Sequence, residues 1–151
     1  MECQVRPATS EDAAAISRVV IAALQKSNSH DYSPDVITQV EKSFTPEKVS
    51  ALLGKRKVFV AWLSEDIAGT ASLEGDVVRS VFVDPAYQGR GIGRQLMEVI
   101  QATAASSGIG ALRVPSSITA QSFYATLGYQ KIRDEFHGSE RTVVMEKQLG
   151  G

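Results

Sequence analysis

The sequence predicts an α+β fold, a central mixed and mostly antiparallel sheet flanked by helices. Three observations carry that expectation. The runs "KVFVAWL", "IAGTASL" and "VVRSVFV" are β-rich and separated only by the turn-like "SED" and "EGD", which reads as an antiparallel meander. Apolar residues recur at helical spacing on both sides of it, as in "ISRVVIAAL" and "RQLMEVIQAT". The last third reads as strand, short helix and two strands, in "ALRVP", "TAQSFYATLG", "YQKIRDE" and "RTVVMEKQ". The resulting order is β-α-α-(α)-β-β-β-α-β-α-β-β, around one mixed sheet.

Each element has a local reason. "CQVRPA" is a short strand ending at Pro7. Thr9 or Ser10 can cap the helix that follows, Glu11 and Asp12 favour its positive end, and Ile16, Val19, Val20, Ala23 and Leu24 mark its apolar face. The polar loop "NSHDYSP" leads to a short helix over Pro34–Lys42. Another begins at Pro46, with Thr45 as cap and Gly54 as stop. After the meander a helix is expected from about Ile92 to Ser106, with Leu96, Val99, Ile100 and Thr103 on its inner face and Gly108 at its end. Trp62 is expected in the core.

Bulk properties narrow the function. The chain has 151 residues, suited to one domain over residues 1–151, with 43% apolar and 22% charged residues. Sixteen basic and seventeen acidic residues give a net charge of −1, so no global field favours nucleic acid or anionic lipid. Cys3 is the single cysteine, which excludes an intrachain disulfide and suits a reducing compartment. The first residues, "MECQVRPATSED", lack a signal-peptide pattern, and no stretch reaches the length of a membrane helix. A soluble, cytoplasmic protein is expected.

The informative stretch is "YQGRGIGRQL", residues 87–96. Glycine inside a helix costs roughly 1 kcal/mol relative to alanine. Three of them at a helix start suggest a close approach to the backbone. The unpaired N–H groups of a first helical turn point outward at the positive end of the macrodipole, where phosphate is the usual guest. Arg90 and Arg94 add charge there. A Walker loop is absent, because Gly-Lys-Ser/Thr occurs nowhere. The dinucleotide fingerprint G-x-G-x-x-G fails, since position 94 is Arg94 and the preceding strand belongs to a meander.

A third pattern fits. "QGRGIG" (Gln88 to Gly93), after "VFVDP", resembles the [Q/R]-x-x-G-x-[G/A] signature of the GCN5-related N-acetyltransferases, the GNAT family. Further on, "SFYATLGYQ" is similar to that family's second signature. One helix and one strand separate the two, and the element order is also the family's. "SSITAQSFY" and "HDYSP" together resemble small bacterial members of unassigned substrate.

The resemblance implies acetyl-CoA, or another acyl-CoA, as donor. It implies a cofactor-binding set of Val81, Phe82, Val83, Gln88, Gly89, Arg90, Gly91, Ile92, Gly93, Arg94, Ser117 and Tyr124. The pyrophosphate would lie on the amides of residues 88–94. The pantetheine arm would add like a strand to "SVFV" through Val81 and Val83, where the sheet splays from "ALRV". Backbone N–H groups near Phe82 and Val83 would polarise the thioester carbonyl. Tyr124 stands at the general-acid position facing the CoA sulfur, and an ordinary phenol pKa near 10 keeps it protonated at neutral pH. Ser117 stands where the family often has asparagine. The expected reaction is N-acetylation of a primary amine by direct attack in a ternary complex, with a small molecule favoured over a protein.

Several alternatives stay open. The general base is one of Glu74, Asp76, His30, His137 and Glu140, or ordered water; Asp31 and Tyr32 border the same pocket by analogy. A non-catalytic acyl-CoA-binding sensor is the rival reading, against which Tyr124 argues. A domain without CoA explains the glycines poorly. Two distant histidines and one cysteine make no metal cluster. Relatives often form homodimers, and the sequence marks no interface.

Overall fold

The structure, a computed structural model, describes residues 3–26, 33–137 and 140–149. Strand β1 (Gln4–Pro7) leads through a 3₁₀ turn at Ser10–Asp12 into helix α1 (Ala13–Lys26). Helices α2 (Pro34–Lys42) and α3 (Pro46–Leu53) precede the meander of β2 (Lys57–Leu63), β3 (Asp66–Glu74) and β4 (Val77–Val83). Helix α4 (Ile92–Ser106), β5 (Ala111–Ser116), α5 (Gln121–Thr126), β6 (Gln130–His137) and β7 (Glu140–Gln148) complete the order read from the sequence.

Caps explain the helix boundaries. Ser33 and Thr45 accept from the backbone N–H groups of Val36 and Lys48, with Pro34 and Pro46 in the first turns. At the start of α1 the device differs. The Asp12 carboxylate accepts from Thr9 N–H at 2.8 Å and forms a two-point pair with the Arg6 guanidinium at 2.8 and 3.0 Å. This ties β1 to the helix that follows it. The pairing holds the Asp12 carboxyl below its usual range, with the Arg6 hydrogen bond as the largest cause.

The seven strands lie in the order β1-β2-β3-β4-β5-β7-β6. All neighbours are antiparallel except β4 and β5. One sheet face packs on α4, through Phe59, Ala61, Leu63, Leu112 and Val143 against Leu96, Met97 and Ile100. The other packs Val58, Val60, Ile67 and Phe82 against α1 and α3. Alternation along β2 therefore feeds two cores.

Two side-chain expectations are corrected. Trp62 is 37% exposed rather than core; a bulge between Ala61 and Trp62 shifts the register near the strand end. The inner face of α4 is Ile92, Leu96, Met97, Ile100 and Ala104, whereas Val99 and Thr103 are only half-buried at its margin. Among the described residues, no helix is long and apolar enough to cross a membrane.

Candidate active site

Strand β4 is where the sheet comes apart. One residue of β3, Ala71, opposes two of β4, Ser80 and Val81, between the pairs Ser72↔Arg79 and Thr70↔Phe82. Within that bulge Ser80 has φ +54, a conformation that non-glycine residues rarely adopt. Among the described residues, β4 and β5 register at a single pair, Val77 with Arg113. Beyond it the strands diverge, and a gap lined by Ser80, Val81, Val114, Ser116, Ser117 and Tyr124 opens between them. The β5-facing edge of β4 at Val81–Val83 is left without a registered strand partner.

The turn after β4 is built to present a helix end. Asp84 accepts from Ala86 N–H at 2.9 Å and from Arg18 of α1 at 3.0 Å, while Arg18 also donates to the Ile67 carbonyl at 3.1 Å. The glycines then serve two purposes. Gly89 and Gly91 have φ +81 and +76, and a Cβ on either would meet nothing within 4 Å. Their need is conformational. Gly93 is different: its Cβ would lie 3.1 Å from the Phe123 ring, so it permits the close packing of α4 on α5. The first turn of α4 carries no acidic residue. Gln95 N–H donates to the Gly91 carbonyl at 3.1 Å, so the amides of residues 92–94 precede the helical ladder and face outward.

These amides open on a cleft of about 560 Å³ lined by Val81, Phe82, Val83, Gln88, Gly89, Gly91, Ile92, Gly93, Arg94 and Tyr124. Ten of the twelve residues singled out in the sequence thus share one cavity. Arg90 is not among the lining residues; its guanidinium lies over the Tyr87 ring, 5.5 Å from the centroid. Ser117 lines the adjoining gap, and its hydroxyl accepts from Ala120 N–H at 3.2 Å as a cap to the α5 turn. Tyr124 lines both spaces. It is 5% exposed and packs edge-to-face with Phe123 at 5.1 Å and Tyr129 at 5.8 Å. Burial pushes its phenol well above the usual value, with Tyr129 adding to the shift.

The cleft also has walls that sequence reasoning did not name. Ala23 of α1, Tyr87, Ala120 and Phe123 line it. Ala120 stands one helical turn before Tyr124 and Phe123 lies beside it within the second motif, a signal that was available. Ala23 and the bulge at Ser80 depend on long-range packing and had none.

The base candidates are dispersed. Glu74 and Asp76 do not line the cleft. The Glu74 carboxylate lies 3.7 Å from the Arg56 guanidinium and 3.5 Å from that of Arg79. Asp76 uses its carbonyl to accept from Arg113 N–H at the closed end of the gap. His30, Asp31 and Tyr32 lie outside the described residues, as do the side chains of His137 and Glu140. Among the described residues, no three of His, Cys, Asp and Glu are grouped to hold a metal.

Comparison with known proteins agrees with this geometry. The family model of the acetyltransferase (GNAT) domain matches residues 28–149. An uncharacterized N-acetyltransferase of Escherichia coli K12, YafP, is 28% identical over 135 residues, which cover 87% of this chain and 84% of that protein. The crystal structure of a GCN5-related N-acetyltransferase from Rhodopseudomonas palustris superposes with a TM-score of 0.90 at 27% identity, covering 99% of this chain and 97% of that one. A PaiA N-acetyltransferase from Thermoplasma acidophilum, solved with coenzyme A, shares the fold at a TM-score of 0.84 and 18% identity, covering 98% and 99%. With a splayed mixed sheet, a glycine-built helix start on the cleft and a family match over most of its length, the chain belongs to the GNAT family of acetyl-CoA-dependent N-acetyltransferases.

Proposed function

We propose that the protein moves the acetyl group of acetyl-CoA onto a primary amine by direct attack in a ternary complex, with a small molecule rather than a protein as acceptor. One observation carries this reading. The outward amides of the α4 start, the unpaired edge of β4 at Val81–Val83 and the Tyr124 ring converge on one cleft.

Each part has a role in that reaction. The amides of residues 88–94, Arg90 included, receive the donor pyrophosphate, with Arg94 adding positive charge at the mouth. Main-chain groups of Val81 and Val83 hold the pantetheine arm as an added strand, and N–H groups near Phe82 and Val83 polarise the thioester carbonyl. The Ser117 oxygen already accepts from Ala120 N–H, which leaves its O–H proton to donate to the pantetheine. Attack of the neutral amine on the carbonyl carbon forms the amide bond and expels the thiolate, which takes the Tyr124 proton. Glu74 and Asp76 stand away from the cleft, which favours removal of the amine proton through ordered water. The gap between β4 and β5, about 160 Å³, supports a small acceptor. A sheet continuous from β1 to β7 supports reading residues 1–151 as one domain.

The test is Tyr124→Phe, followed by CoA-thiol release with an amine panel. The ring is kept, so folding and acetyl-CoA affinity are expected to hold while kcat falls about a hundredfold, in the range of general-acid effects. An unchanged kcat removes Tyr124 from the chemistry. Acetyl-CoA binding by the wild type with no thiol release on any amine identifies a sensor instead of an enzyme.

A further inference from the structure

Nothing polar aims the Tyr124 hydroxyl. Among the described residues it makes no hydrogen bond, so the direction of its O–H is set by whatever holds the ring. Two aromatic rings do so, both edge-to-face: Phe123 at 5.1 Å and Tyr129 at 5.8 Å. Phe123 lines the donor cleft, whereas Tyr129 is 3% exposed and does not. Tyr129 is the support behind the ring.

Tyr129 is itself tied to three elements. Its N–H donates to the Tyr124 carbonyl at 3.1 Å, across the turn that ends α5 with Gly128 at φ +97. Its hydroxyl accepts from Gln101 Nε2 of α4 at 3.3 Å. Lys147 of β7 places its Nζ 6.0 Å from the centre of the Tyr129 ring and donates to Gln101 Oε1 at 3.1 Å. The two bonds of Gln101 fix each other. An ammonium only donates, so Lys147 takes the amide oxygen and the amide N–H groups are turned toward Tyr129. The chain Lys147–Gln101–Tyr129 thus joins β7, α4 and the end of α5 on the far side of the Tyr124 ring. None of the three lines the cleft or the gap.

We propose that Tyr129 and Gln101 are positioning residues for acetyl transfer: Gln101, oriented by Lys147, holds the Tyr129 ring, and that ring holds Tyr124 with its O–H toward the leaving sulfur. The claim rests on the reading of Tyr124 as the proton donor. A site that needed only volume at position 129 would be filled by phenylalanine. The hydroxyl, held by an amide that an ammonium holds in turn, fixes the tilt of the ring as well as its place. Such restraint matters because a reacting group displaced by about 1 Å can lose roughly a hundredfold in rate.

The experiment measures kcat and KM by thiol release from acetyl-CoA, with ethylamine, benzylamine, glycine and lysine as amine probes. It compares the wild type with Tyr129→Leu, Tyr129→Phe and Gln101→Met, each alone and combined with Tyr124→Phe. The melting shift on acetyl-CoA controls for folding and donor binding. Tyr129→Leu is expected to lower kcat at least about tenfold, with KM for acetyl-CoA unchanged. Tyr129→Phe keeps the ring without its tether and is expected to lose severalfold, as is Gln101→Met on the half-buried flank of α4. In the Tyr124→Phe background these losses are expected to vanish, because a residue acting through the Tyr124 hydroxyl has nothing left to position. A merely structural residue would lower kcat there as well. Equal losses in both backgrounds overturn the proposal and leave Tyr124 in place, and so does full kcat in Gln101→Met. If Tyr129→Leu does not fold, Gln101→Met decides by the same cycle. Full kcat in Tyr124→Phe overturns the acid reading and this inference with it, as does a wild type that binds acetyl-CoA but releases no thiol with any probe.

Discussion

Tyr124 and the three glycines show how far single residues explain the site. Burial favours the neutral phenol of Tyr124, and its folded pKa is raised. A raised pKa keeps the proton in place through and beyond the ordinary value near 10, so the donor form persists wherever the enzyme is folded. The wild-type kcat is accordingly expected to show no alkaline fall between pH 7 and roughly 10. Measured at saturating substrates, a fall with a midpoint of 7 to 9 would assign the proton to another group. The glycines were visible in the sequence, but their reasons were only partly so. Gly89 and Gly91 answer to left-handed backbone conformations at the start of α4. Gly93 answers to Phe123, thirty positions further on, a contact that local sequence does not carry. Trp62 failed for a related reason: it shares a face of β2 with Val58 and Val60 yet is 37% exposed near the strand end, and local sequence does not say how far the covering helices reach.

Elements were legible wherever a cap or a period marks them. Pro34 and Pro46 behind Ser33 and Thr45, the two turns of the meander and Gly108 after α4 set boundaries that the structure keeps. Asp12 had more to do than its position at a helix start suggested. It accepts from Thr9 N–H and pairs with Arg6, and its folded pKa is depressed. The sign follows from that depression: the charged form stabilises the fold above the unfolded value near 3.9, and the contribution is lost as pH falls through the lower folded value. Asp12→Asn is expected to cost about 1 kcal/mol at pH 7, since Arg6 is largely solvent-screened and the remaining loss is that of a helix cap. Urea unfolding at pH 7 and at pH 3 checks this. The deficit should narrow at the lower pH; an equal deficit at both would show that the charge is not what matters.

At the scale of the molecule, a seven-stranded sheet holds firmly at both ends and parts in the middle. The β1-β2-β3-β4 half and the β5-β7-β6 half are each antiparallel, and a single registered pair joins them. The meander was readable from composition and turns. The neighbourhood of β4 and β5, and the insertion of β7 between β5 and β6, join segments distant in sequence; only the family resemblance pointed to the splay. The opening places the end of α4, the free edge of β4 and Tyr124 around one space, and the donor reading stands or falls on that space.

The most direct measurement is thermal unfolding of the wild type and Gly91→Asp with saturating acetyl-CoA, CoA, ATP or NAD. Aspartate tolerates positive φ better than most residues and Gly91 is exposed, so the variant is expected to fold while setting a carboxylate against the incoming phosphates. At a hundredfold excess over Kd a ligand bound only by the native state adds ~2.7 kcal/mol, roughly 5–10 °C for a chain of this size. A shift with acetyl-CoA and CoA, absent with ATP and NAD and abolished by Gly91→Asp, is the expected result. No shift with any CoA, or a full shift retained by Gly91→Asp, would contradict the placement of the donor on the start of α4.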